Sequence, residues 1–161
     1  MLKILPILRH PNPLLRQRAK EVDLKVLTEK IFQDLAEDMI ATMWQADGVG
    51  LAAPQIGQGL RLIIVASGKQ AATLINPVII YKSFRKEVME EGCLSVPGLF
   101  GPVKRSKTIR YRAYTREGKK VSFKAEGLTA RIIQHELDHL NGVLFIDRAK
   151  WIASVGTSAE L

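Results

Sequence analysis

The sequence predicts an α+β domain whose motif-bearing helix packs centrally against antiparallel sheets. Three patterns predict it: an amphipathic helix in the first third, strand-like segments from residue 60 to 125, and a second helix that is apolar around its whole axis. The first helix is expected over Thr28 to Gln45. There Ile31, Phe32, Leu35, Ala36, Met39, Ile40, Met43 and Trp44 form one broad stripe, with Thr28 as N-cap. Strands follow at RLIIVA, at TLINPVII, where Pro77 marks an edge or a bulge, and at FRKEVME. A hairpin turning at TREGK should point Ile109, Tyr111, Ala113, Val121, Phe123 and Ala125 inward and Arg110, Arg112 and Lys124 outward. The second helix, LTARIIQHELDHL, is expected to stop at Asn141 and Gly142, residues that tolerate left-handed backbone.

The chain of 161 residues, 47% of them apolar, suits one domain over 1–161 with a short C-terminal tail. Its longest apolar runs, such as LIIVA, fall far short of the roughly 18 residues a membrane span needs, and Pro6 interrupts the start MLKILPILRH, which does not read as a signal peptide. A cytoplasmic protein without a membrane partner is the expectation. Cys93 is the only cysteine, so no intrachain disulfide can form. The formal charge is +8, with nine basic residues and one acid between Lys104 and Lys124. That cluster is either a solvated strand face or a surface for RNA phosphates or an acidic partner.

The chemistry centres on QHELDHLNG, residues 134 to 142. Residues four apart on a helix are neighbours, so His135 and His139 can converge on one ion with Glu136 beside them as general base. The alternative is a pair of core histidines. On a buried helix, however, Gln134, His135, Glu136, Asp138 and His139 are costly unless paired or bound to metal. After His139 the chain offers no further histidine, so a third ligand must come from upstream. Cys93 in EEGCLSVPG is the best candidate, giving a thiolate and two imidazoles with one position open for water. His10, in RHPNP, is the other way to complete a site, a structural one. The segment DGVGLAAPQIGQG adds Gly48 and Gly50, which allow close backbone approach, and Gln55, whose amide can donate to a developing oxyanion. Its spacing is not that of a phosphate-binding loop.

GVGLAAPQ at 48–55, EGCLS at 91–95 and QHELDH at 134–139 together resemble, in order, the three signature motifs of the peptide deformylases, and the similarity runs from LRHPNPLLRQRAKEV to NGVLFIDR. The resemblance implies hydrolysis of the N-formyl group from the initiator formyl-methionine of nascent polypeptides, with release of formate. It implies Cys93, His135 and His139 as ligands of one divalent metal, Fe(II) most often, with Zn, Ni or Co as replacements. Such a cation lowers the pKa of a bound water, so that a hydroxide attacks the formyl carbon while Glu136 takes the proton and returns it to the leaving amine. Gln55 and the backbone N–H of Leu94 would share the oxyanion's charge. Gly50 is the implied backbone contact for the peptide. Val49, Glu91, Gly92, Arg131 and Ile132 match positions around the methionine pocket, and Asp138 is implied to orient a ligand or anchor the helix.

Two departures from the family pattern matter. Phe100 stands where some relatives carry an arginine near the peptide, so contacts beyond the methionine are expected from Arg105 or from packing. Only 22 residues follow His139, whereas some bacterial members extend into a basic helix used in ribosome docking. The basic hairpin 104–124 is therefore a candidate replacement for a transient ribosome contact, and no DNA partner is expected. The competing readings are a general metallopeptidase, against which Cys93 argues, and a basic nucleic-acid-binding domain with a structural metal, for which His10 would matter.

Overall fold

The computed structural model describes residues 2–154, so most of the C-terminal tail lies outside the described residues. Helix α1 spans Lys30–Gln45 and helix α2 spans Gly127–Leu140. The strands are β1 (Gly50–Ala52), β2 (Leu62–Ser67), β3 (Gln70–Lys82), β4 (Lys86–Cys93), β5 (Val96–Ser106), β6 (Thr108–Tyr114), β7 (Lys120–Glu126) and β8 (Ala153–Ser154). They form a five-stranded sheet in the order β1-β2-β3-β6-β7 and a three-stranded sheet β4-β5-β8, antiparallel at every strand pair. The α+β expectation holds, with α2 central.

The run LIIV in β2 does not alternate because both of its faces are covered. Ile63 and Val65 pack with Ile133, Leu137 and Leu140 of α2, while Leu62 and Ile64 pack with Phe32, Met39 and Met43 of α1. A third core of Leu15, Val96, Val103, Leu144 and Phe145 lies under the small sheet. Pro77 sits at the expected irregularity, since the β3–β6 register shifts between Ile75 and Val78. Asn76 there adopts φ 50°, and its side chain accepts from Val22 N at 2.8 Å and donates to Val22 O at 2.9 Å.

Several sequence expectations are corrected. Helix α1 begins at Lys30 with Glu29 as its N-cap, because Thr28 closes a preceding 3₁₀ turn. Ile31 is 77% exposed and Trp44 is also exposed, since both stand at helix ends beyond the sheet. Thr42 is buried instead, donating to Asp38 O and accepting from Leu5 N. Asn141 keeps negative φ, so only Gly142, at φ 73°, is left-handed. In the hairpin, Phe123 stands on the inward face beside Tyr111 but is 55% exposed. β7 is an edge strand on which only Ala125 is fully covered, and Phe123 rests on Tyr111 at 6.2 Å between ring centroids. Lys104 and Arg105 belong to β5, not to the β6–β7 hairpin. Arg116 is turned toward α1, where it pairs with Glu37. No helix among the described residues is long and apolar enough to cross a membrane.

Candidate active site

A cavity of about 610 Å³ opens between β1, the β4–β5 hairpin and α2. Each wall brings one motif. β1 runs into a 3₁₀ turn over Ala53–Ile56 that carries Gln55. β4 ends at Cys93 after a register shift that begins at Glu91. Helix α2 presents His135 and Glu136 to the cavity, with His139 one turn further along.

Cys93, His135 and His139 offer ligand atoms that all lie within 4.8 Å of one another. Cys93 Sγ is 3.2 Å from His139 Nε2, and His135 Nδ1 is 2.9 Å from Glu91 Oε2. That carboxylate fixes the His135 ring and leaves Nε2 for the centre of the cluster, the usual arrangement behind a metal-bound histidine. His10 is exposed and stands outside this group.

The electrostatics agree with a cation site. Burial opposes charge on His135, yet its hydrogen bonds to Cys93 and Glu91, with help from nearby Glu136, push the ring up to about 10. His139 is driven well below the ordinary histidine range by burial first and by the neighbouring charges of His135 and Arg105 second. Its Nδ1 has no hydrogen-bond partner among the described residues. Cys93, Glu91 and Glu136 therefore make the surroundings of His135 favourable to positive charge. This donor set fits a divalent metal.

Glu136 is 4% exposed and lies against Gly50, where an added Cβ would collide with Glu136 Oε1 and come within 2.9 Å of Ile132 Cγ2. Gly50 thus admits the carboxylate to the cavity wall. Glu136 Oε2 has no partner among the described residues, and burial raises the carboxyl to about 7 although His135 and Arg105 oppose the shift. Such a group accepts and returns a proton near neutral pH.

Gln55 is buried and oriented. Its Oε1 accepts from Ala52 N at 2.8 Å, so Nε2 points to Ser95 Oγ at 3.1 Å and toward Cys93 Sγ at 3.6 Å. Ser95 closes the EGCLS motif two residues after Cys93, and that place is its only signal in the sequence.

Glu91 is the hub of the support behind the cluster. It accepts from Arg105 Nε at 2.6 Å and Nη2 at 2.9 Å and from Arg131 Nη1 at 2.7 Å, in addition to bonding His135. Burial favours its neutral form, but the bonds to His135 and Arg105 outweigh this and hold it at about 2. Arg105 also donates to Asp138 Oδ2 at 2.9 Å, and Arg148 grips both oxygens of Asp138 at 2.6 and 2.7 Å. Asp138 therefore anchors α2 to β5 and to the segment after the helix. Arg105 is buried in this network and does not line the cavity, which corrects its expected place among the peptide contacts; Phe100 and Leu99 line the cavity instead.

Val49, Gly50, Gly92, Leu94, Arg131 and Ile132 all line the cavity. Val49 is 53% exposed, so it is not a core residue. Arg131 turns its guanidinium away to Glu91, Val103 O and Glu87 O.

Comparison with known proteins agrees with this geometry. Residues 4–154 match the family model described as polypeptide deformylase. A peptide deformylase of Desulforudis audaxviator is 47% identical over 150 residues, covering 92% of this chain and 96% of the relative. The Met-Ala-Ser-bound structure of a class I type b peptide deformylase from Acinetobacter baumannii superposes with TM-score 0.89 at 38% identity, covering 92% of this chain and 99% of that one. The Thermotoga maritima peptide deformylase gives 0.87 at 42% identity over 92% and 99% of the two chains. The three motifs meet in one cavity, and their order, the fold and these matches coincide: the chain belongs to the polypeptide deformylase family and is a hydrolase.

Proposed function

We propose that the protein removes the N-formyl group from formyl-methionyl peptides in the cytoplasm and releases formate. One observation carries the reading: a cysteine and two histidines converge beside a buried carboxylate, one of whose oxygens has no hydrogen-bond partner among the described residues, at a cavity bordered by an edge strand. Cys93, His135 and His139 would hold one divalent cation, Fe(II) by family resemblance with Zn, Ni or Co as replacements. Such a cation supplies Lewis acidity and lowers the pKa of water in the site. Glu136 takes the proton of the attacking water and delivers it to the departing amine. The Gln55 amide and the Leu94 N–H donate to the oxygen that gains charge.

The peptide is placed along β1, the end strand of its sheet, by backbone bonds that include Gly50. Val49, Gly92, Ile132 and the unpaired surfaces of Glu91 and Arg131 shape the methionine pocket, and Phe100 supplies apolar contact further along. The tripeptide named in the Acinetobacter structure supports a peptide as substrate.

The decisive experiment is formate release from a formyl-Met peptide by protein prepared anaerobically with Fe(II), before and after chelation. Turnover is expected only before chelation and is expected to return on adding Fe(II). Equal activity in both samples, or none in either with metal bound, would overturn the reading. Gln55→Ala is expected to reduce kcat by about 100- to 1,000-fold with little change in KM, because it removes an oxyanion donor; a change confined to KM would instead make Gln55 a binding residue.

A transient ribosome contact through the basic hairpin is part of the proposal, supported by the exposure of Arg110, Arg112, Lys120 and Lys124. Exchanging Arg110, Arg112 and Lys120 for glutamine is expected to weaken co-sedimentation with ribosomes and flatten its salt dependence. Unchanged co-sedimentation would remove the hairpin from the interface.

A further inference from the structure

Helix α2 has a second cleft on its other side. Arg131, Ile132, His135 and Glu136 line the catalytic cavity, whereas Gln134, Leu137, Asp138 and Asn141 face a separate cleft of about 420 Å³. The other lining residues of this cleft are rich in cations. Its one carboxylate, Asp138, is already held by Arg105 and Arg148.

The remaining charge is only partly compensated. Arg61 is only 9% exposed and donates to neutral acceptors, Leu140 O at 3.3 Å and Asn141 Oδ1 at 3.1 Å. Burial lowers its pKa, nearby Arg18 lowers it further, and Glu21 only partly opposes them. A buried guanidinium facing a second arginine is unfavourable unless an anion completes the site. Lys82, Lys86 and Lys104 stand exposed around the same cleft. None of these three lysines, nor Arg18, forms an ion pair among the described residues.

The positive surface continues out of the cleft. Val78 on its wall pairs in register with Arg112, and three residues along β3 the row Tyr81, Arg110, Lys124 crosses the sheet with all three side chains exposed. Lys124 is paired with Glu126, but Tyr81 beside Arg110 gives the combination that binds a nucleic-acid strand, charge tracking phosphates and the ring accepting a base.

We propose that this cleft holds the phosphodiester backbone of a single-stranded RNA segment, which leaves across Tyr81 and the outer face of β6. A flat bilayer cannot enter a concavity whose innermost cation is almost buried, and a single small phosphate would leave the lysines on the rim unused. A strand with regularly spaced charges meets both. The cleft deepens the ribosome contact proposed above by moving its anchor from the hairpin to the back of α2, and rests on that reading only for the source of the RNA.

The test is anisotropy of a fluorescein-labelled oligouridylate of about 20 nucleotides, titrated with the full-length protein between about 50 and 200 mM KCl. Three proteins are compared: wild type, K82Q/K86Q/K104Q and R110Q/R112Q/K120Q. Removing three phosphate contacts is expected to weaken binding at least about tenfold at low salt and reduce the log–log salt slope by about 2. The hairpin variant should lose less than the cleft variant. Formyl-peptide turnover in the cleft variant should match wild type, which shows that the fold is intact and separates this proposal from the hydrolytic one. Absence of wild-type binding, an unchanged cleft variant, or an equal loss in the hairpin variant would overturn the proposal. So would capture by phosphatidylglycerol-containing vesicles with the same lysine dependence. If the hairpin variant alone lost binding, the hairpin reading would stand and the cleft would fall.

Discussion

Replacing Glu136 by glutamine is expected to lower kcat for formyl-peptide hydrolysis by about 100- to 10,000-fold, the range contributed by a positioned acid–base group. The change is nearly isosteric, so the close approach at Gly50 is kept and the fold should hold. The amide cannot take up the proton that the carboxylate would carry. Because Glu136 is not among the three converging ligand groups, metal content by atomic absorption should remain at one per chain. KM should change little, since the group acts in the transition state. Full metal with activity within about tenfold of wild type would assign the proton transfer elsewhere. Loss of metal together with activity would make Glu136 a support of the cluster rather than its base.

The second large effect is expected away from the reacting atoms. Arg105→Met should destabilise the protein by about 3 kcal/mol, the lower end of the cost of breaking a buried ion pair by removing one partner. The lower end applies because Glu91 retains Arg131 and His135, and Asp138 retains Arg148. Urea unfolding at fixed metal concentration measures it. The double variant Arg105→Met with Glu91→Gln should lose less than the sum of the two single losses, since both changes break the same ion pair. Additive losses would show that Arg105 acts through packing alone.

The sequence was most informative where one element has one job. QHELDH marks both a helix and two histidines on one face of it, and Cys93, the best upstream candidate to join them, converges with them in the structure. The hairpin's turn and its outward arginines were equally legible, because alternation maps directly onto the two faces of a sheet. The misreadings share a cause. Phe123, Ile31 and Trp44 obey their local period, but exposure depends on whether a neighbouring layer reaches them, and edges and helix ends lie beyond the covered area. Arg105 was misplaced for a related reason. Within a basic run it reads as one more surface charge, and only the pairing of β5 with β4 brings it to Glu91. Gln134 and Asp138 were recognised as needing partners, but the identity of those partners, Ser106 and the two arginines, is a long-range fact.

Strand β1 is only three residues long, and each residue has a different duty. Gly50 borders Glu136, Leu51 lies in the core beneath α1, and Ala52 lies in the core against α2 and directs Gln55 through its N–H. A slip of one residue against β2 would drive Leu51 into the carboxylate and displace Gln55 in the same movement. Core residues and a residue that lines the cavity thus follow one another within a single short strand. Turnover should therefore report on interior packing, and a substitution that loosens the layer under α1 should register as a catalytic defect before the chain unfolds.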